Sequence, residues 1–224
     1  VGTTNGEVLL SMNNQAAPFD DPLVRRAVAY GIDRQAANDI LWEGRAHDTG
    51  GAPVPPSDPW FSGKNYYPYD PARARALMEE AGAVGTPLTL TVPSLPYAQT
   101  LSEFLYSQLT ELGFDVTLET AEFPAVWLSQ VMGAKDYQMS LVAHVEPRDI
   151  PTIFGNPDYY IGYDSERART LLEQDDMSGA GDQIMADMPA LTLMNMPNIV
   201  LYREGLSGLQ PNQITDAIEL RGVR

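Results

Sequence analysis

Imidazole, carboxylate and guanidinium groups crowd into one short run, His144-Val145-Glu146-Pro147-Arg148-Asp149, at the end of an otherwise apolar stretch. The spacing His144-x-Glu146-x-x-Asp149 supplies one nitrogen and two carboxylates, enough for three metal ligands or for acid–base work near neutral pH. A loop carrying Tyr159, Tyr160 and Tyr163 follows. Phenol rings beside a few placed charges line clefts that take organic ligands. Three chemistries therefore stay open: orienting an organic solute, holding a metal, and metal-dependent hydrolysis. A plain solvated strand end would carry the same residues.

The common catalytic and cofactor signatures are absent. There is no glycine-rich dinucleotide loop, phosphate-binding loop, nucleophile elbow or HExxH pair. The chain has no cysteine, which excludes thiol catalysis, disulfides and Cys-based zinc sites, including the downstream Cys pair of a zinc deaminase. His47 is the other histidine. Trp60, Tyr66 and Tyr67 sit in a loop, whereas Trp127 falls on the apolar face of a helix and reads as core. A formal net charge of −16 argues against nucleic acid and anionic membrane surfaces, both of which need clustered Lys and Arg. No apolar run is long enough to span a bilayer, and the first ten residues lack the features of a signal peptide.

The elements that must position the charged run follow from periodicity. Met139, Leu141 and Ala143 alternate with Gln138, Ser140 and Val142, so residues 137–143 read as a buried strand ending at His144. On such a strand His144 and Glu146 share a face. Upstream, residues 7–12 read as a strand, and Asp21-Pro22 starts a helix whose stripe is Val24, Val28, Ile32, Ala36 and Ile40, broken in two at Gly31 and Asp33. A long Gly- and Pro-rich stretch covers 44–69. Asp70-Pro71 opens a helix stopped by Gly82. A strand at 88–92, a helix from Tyr97 to Leu112, a strand at 114–118 and a helix opened by Pro124 come next. Strand–helix alternation with short joins predicts parallel strands and right-handed crossovers, an α/β domain with helices covering the sheet. Beyond the tyrosines, a helix runs from Asp164 to Glu173 with Asp164 as cap. DDMSGAGD at 175–182 reads as a surface loop, and Leu191, Leu193 and Ile199–Leu201 as late strands.

Longer motifs carry a family resemblance. NNQAAPFDDPLVRRAVAYGIDR at 13–34, the PVPPSDPW loop, YYPYDPARARALMEEAG at 66–82, KDYQMSLVAHVEPRDIPTIFG at 135–155 and DMPALTLMNMPNIVLYREGLSGL at 187–209 resemble the C-terminal half of extracytoplasmic solute-binding proteins of peptide-type ABC importers, the dipeptide, oligopeptide and nickel-binding group. The resemblance implies a type II periplasmic-binding-protein-like lobe with a mainly parallel central sheet flanked by helices. It covers residues 1–204, with 205–224 a tail that packs on a missing N-terminal lobe of the same protein. It also implies capture of a peptide or peptide-like solute outside the cytoplasmic membrane, in a periplasm or on a lipid-anchored protein, and delivery to ABC permease subunits. No reaction, cofactor or resident metal is implied. Aligned to the family's Trp–x–x–Asp–x–x–Asp–Pro pattern, His144 stands at the Trp, Pro147 at the amine-binding Asp and Ile150-Pro151 at the Asp-Pro. The amine-binding carboxylate is thus lost from its usual place, and Glu146 or Asp149 is the neighbour that can replace it. The expected ligand-binding residues are His144, Glu146 and Asp149, which orient the solute, and Tyr159 and Tyr160, which stack on it. A non-peptide solute or a metal chelate is the alternative within the class. Outside it stand a metal-dependent hydrolase using His144, Glu146 and Asp149, and a stand-alone interaction module.

Overall fold

Among the described residues, four strands run one way through the sheet and a fifth runs against them. The structure, a computed structural model, describes residues 1–145, 150–212 and 220–224. Its elements are β1 (Gly2–Met12), α1 (Pro22–Gly31), α2 (Arg34–Trp42), α3 (Pro71–Glu80), β2 (Pro87–Pro93), α4 (Pro96–Leu112), β3 (Asp115–Ala121), α5 (Ala125–Trp127), β4 (Met139–His144), α6 (Ile150–Phe154), α7 (Glu166–Glu173), α8 (Met177–Asp187) and β5 (Ala190–Asn198). A π-helical segment, Leu128–Gly133, continues α5. The strand order is β3-β2-β4-β1-β5. β2 is parallel to β3 and β4, while β1 is antiparallel to β4 and β5, so among the described strands only β1 opposes the common direction.

Alternation along the strands separates two cores. Val8, Leu10 and Met12 of β1, with Met139 and Leu141 of β4, join the core covered by α1–α4. Leu9 and Val142 point the other way, into the core containing Trp127, Ile150, Phe154, Ala168 and Ile184 from α5–α8. Local signals set the helix ends as the sequence predicts. Asp21 caps α1 at Leu23 N, Asp33 caps α2 at Ala36 N and Asp70 caps α3 at Arg73 N. Gly113 closes α4 in the left-handed region at φ 115°.

Several expectations needed correction. The stripe from Val24 does not survive the break: Ile40 is 47% exposed, because α2 turns away and buries Arg34, Ala37 and Asn38 instead. DDMSGAGD is the start of α8, not a loop. Asp176 caps it at Gly179 N, and packing of Ala180 and Ile184 outweighs the poor propensity of two glycines. α7 is capped by Ser165 rather than Asp164. β5 stops at Asn198, so Ile199–Leu201 is no strand, and Leu201 is 93% exposed. In the tail, Thr3 N donates to Asn212 Oδ1 and Asn198 Nδ2 to Pro211 O.

The irregular stretch between α2 and α3 hangs on one buried cation. Arg34, 4% exposed, grips Asp48 through Nε at 2.9 Å and Nη2 at 3.3 Å, and also donates to Tyr67 O and Asn65 Oδ1. Asp48 Oδ1 in turn accepts from Gly50 N, and Gly51 O accepts from Thr192 N of β5. Gly50 sits at φ +71°, and a Cβ there would run into the Lys64 carbonyl. Replacing Arg34 by Met leaves Asp48, Tyr67 O and Asn65 without their partner. The expected loss is about 3 kcal/mol in urea unfolding, and a change below about 0.5 kcal/mol would contradict this role.

Candidate functional site

The direction of the chain leaving adjacent strands marks where a crevice opens. β2 exits into α4, on one face of the sheet, whereas β4 exits into α6, on the other. In open α/β sheets, such a reversal between neighbouring strands places ligand crevices at their carboxyl ends. β4 ends there with His144. The join is closed by Tyr97 of α4, whose hydroxyl accepts from Ala143 N at 2.8 Å.

Because β1 runs against β4 and β5, its beginning lies beside their ends. Glu7 is paired with His144 on one side and with Asn195 on the other. Directly paired residues share a face, so His144, Glu7 and Asn195 form a polar row across the tip of three strands. All are buried, at 6%, 4% and 1% exposure. Thr192 Oγ1 donates to Glu7 Oε2 at 2.8 Å, and Asn195 Nδ2 donates to Gly6 O at 2.8 Å. His47, exposed, pairs through its backbone with Asn195 and extends the row.

His144 rests on Tyr160. The two rings lie 5.9 Å apart, nearly parallel at 26°, and Nε2 is 2.9 Å from the Tyr160 hydroxyl. That hydroxyl is 2.7 Å from Ser11 Oγ. Tyr137 and Trp127 pack on the same phenol, and the Tyr137 hydroxyl donates to Tyr160 O at 3.1 Å. Trp127 donates from Nε1 to Ser140 Oγ, which donates to Thr91 O. A satisfied polar layer thus runs under the apolar cluster. Burial, helped by Tyr137, pushes the Tyr160 phenol well above its usual value, and burial does the same to Tyr137. Tyr163 is raised by burial and by its hydrogen bond to Asp187.

The expected site residues divide accordingly. His144 stands at the strand tip. Tyr159 is half-buried with its ring 5.0 Å from that of Tyr160. Tyr160 itself is 1% exposed and offers no face for a solute to stack on, which corrects that part of the expectation: its place is beneath His144. Glu146 and Asp149 lie outside the described residues. Sequence reading missed Ser11, Glu7 and Asn195. The signal for the first two was present, since Glu7 and Ser11 interrupt an apolar strand at same-face spacing, but the register that brings them to His144 and Tyr160 is tertiary. Concave spaces of about 450 Å³, bordered by Asn13, Lys135 and Gln138, and about 590 Å³, bordered by Arg25, Tyr163 and Asp187, open at the amino-terminal end of β4 and β5, away from His144.

Among solved structures, an oligopeptide-binding protein of Borrelia burgdorferi superposes with a TM-score of 0.76 at 22% identity over 98% of this chain and 48% of its own. The periplasmic binding protein DppA of Helicobacter pylori, in complex with the peptide STSA, gives 0.74 at 21% over 95% and 45%. AgaA of A. tumefaciens, in complex with agropinic acid, gives 0.75 at 19% over 85% and 43%. The fold is that of a type II periplasmic binding protein. The model of the bacterial extracellular solute-binding proteins, family 5 middle, matches residues 1–147, and the chain belongs to that family. The glutathione-binding protein GsiB of Salmonella typhi is 40% identical over 106 residues, 46% of this chain and 20% of that protein. The matched segment is therefore a fifth of the curated relative's length, and the chain spans just under half of these three solved chains.

The buried phenols predict an alkaline limit to stability. Their folded values lie above the usual 10, so the stability they lend is whole below pH 10 and falls as pH rises beyond it. Each phenol contributes a slope of about 1.4 kcal/mol per pH unit in that range. Urea midpoints should be flat from pH 8 to 9.5 and drop steeply above 10, less steeply in Tyr137→Phe. A profile still flat at pH 11 would contradict the burial of these hydroxyls.

Proposed function

We propose that this chain is one lobe of the substrate-binding component of an ABC importer, which captures a peptide or peptide-like solute outside the cytoplasmic membrane and presents it to permease subunits. Family membership supports solute capture rather than catalysis. The single observation that carries the location is His144, placed by β4 where neighbouring strands send their connections to opposite faces. The described polar row is short and buried, and His144 is the least buried of its three residues, at 6% exposure. Tyr159, half-buried and packed edge-on against Tyr160, is the ring assigned to stack on the solute. Glu146 or Asp149 is the carboxylate assigned to replace the family's amine-binding Asp; if neither does, the solute is not a standard peptide.

A small peptide fits the relatives. GsiB is a glutathione-binding protein, and DppA was solved with a tetrapeptide. AgaA, bound to agropinic acid, keeps a non-peptide solute as the second reading. Calorimetry with short peptides, glutathione and agropinic acid, on the longer polypeptide that contains this chain, separates the two.

One lobe encloses a solute from one side only, and affinity depends on burial from both. The chain alone is expected to bind at least a hundredfold more weakly than the longer polypeptide; equal affinity would refute the lobe assignment. In the longer polypeptide, His144→Ala should weaken binding about tenfold or more, the scale of one lost polar anchor. Glu146→Ala and Asp149→Ala test the replacement carboxylate, and unchanged affinity in both would remove these residues from the site.

A further inference from the structure

Between the π-helical segment and β4 the backbone is pinned while two charged side chains are left over. Lys135 sits in the left-handed region at φ +54°, an uncommon place for a residue with a Cβ. Asn13 Nδ2 donates to Lys135 O at 3.1 Å, Asp136 N donates to Gln130 O, and Gln130 Nε2 donates back to Asp136 O. The Lys135 ammonium and the Asp136 carboxylate nevertheless make no ion pair among the described residues. Both residues border the concavity of about 450 Å³ at the amino-terminal end of β4. The sheet supplies its floor. Leu88, Leu90 and Val92 of β2 face the core covered by α1–α4, so Thr89 and Thr91 face the opposite way, onto this space. Glu119 of β3 is paired directly with Thr91 and shares that face, again with no ion pair among the described residues. Thr91 is 1% exposed. Its carbonyl accepts from Ser140 Oγ, but its hydroxyl has no partner among the described residues. A hydroxyl kept from water without a partner costs stability, and in a native protein it calls for a reason.

We propose that this concavity is a second binding site, for a free basic α-amino acid such as lysine or arginine, separate from the solute site at the tip of β4. Asn13 and Gln138 use their side chains on backbone groups and serve as wall. What stays unengaged on the border is one ammonium, two carboxylates and the hydroxyls of β2. The ligand carboxylate meets the Lys135 ammonium and the Thr91 hydroxyl, and its two cationic groups meet Glu119 and Asp136. Two negative groups and one positive on the protein are thereby matched, charge for charge, by two positive and one negative on the ligand. A simple anion would face a net negative border, and a neutral amino acid would leave one carboxylate unmatched. The volume lies within the range of small-molecule sites. None of this depends on the receptor function proposed above.

The test is an NMR titration of this chain with three ligands: L-lysine, L-norleucine, which lacks the side-chain ammonium, and cadaverine, which lacks the carboxylate. L-lysine is expected to bind with a Kd below about 1 mM, at least about fivefold more tightly than either analogue. The amide shifts should centre on Thr91, Glu119 and Lys135. Glu119→Gln and Lys135→Met, at side chains that are not buried, should each weaken L-lysine at least about fivefold. Thr91→Val keeps the shape and removes the hydroxyl. It should also weaken L-lysine, while its urea midpoint stays at or above that of the native chain. An analogue binding as tightly as L-lysine, shifts centred elsewhere, or no binding by about 10 mM would overturn the site. A lowered midpoint in Thr91→Val would reveal a structural partner for the hydroxyl and overturn its assignment to the ligand.

Discussion

A tyrosine hydroxyl with no access to water holds the candidate site in place. Tyr160 lies among Trp127, Tyr137, Tyr159 and His144, and its one polar atom must be paired or pay for its burial. The partners come from far apart in the chain: Ser11 on β1 and His144 at the end of β4. The Tyr137 hydroxyl fixes the same residue from its carbonyl side. The loop after α6 is thereby tied to the middle of the sheet, and an imidazole is held at its edge. Buried networks of this kind specify one arrangement when every member is satisfied.

The antiparallel strand β1 gives the site its composition. With β1 between β4 and β5, a strand beginning is set against two strand ends, and Glu7 enters a row that would otherwise hold only the last residues of parallel strands. The same face carries Ser11, Ser140 and Thr192, so a polar seam runs through the core beneath the tip. At the other end of the sheet, Arg25 and Arg26 donate to the carbonyls of Ala186, Asp187 and Met188 and complete the C-terminus of α8. That end is held together by structural bonds, which agrees with placing solute recognition at the opposite one.

Local chemistry was legible in the sequence, and register was not. Asp21-Pro22, Asp33 and Asp70-Pro71 announced three helix starts because a cap needs only its own neighbours. The alternation at 137–143 located β4 and so His144. α8 was hidden because its glycines are stabilised only by tertiary packing, and Ile40 was misread because the stripe was carried across a break that redirects the axis. Tyr159 and Tyr160 were indistinguishable as a sequence pair. Burial separates them, one ring at the surface of the cluster and the other beneath His144. Ser11 and Glu7 looked like ordinary polar positions of a strand until the pairing with β4 gave them partners.

The most direct measurement is a crystal structure of the longer polypeptide with a bound short peptide. The solute should lie against the carboxyl ends of β2 and β4, with one of its oxygens within hydrogen-bonding distance of the His144 imidazole and Tyr160 still buried beneath it. A peptide seated instead in the concavity beside Arg25 and Asp187, or at the edge of β3, would contradict the account.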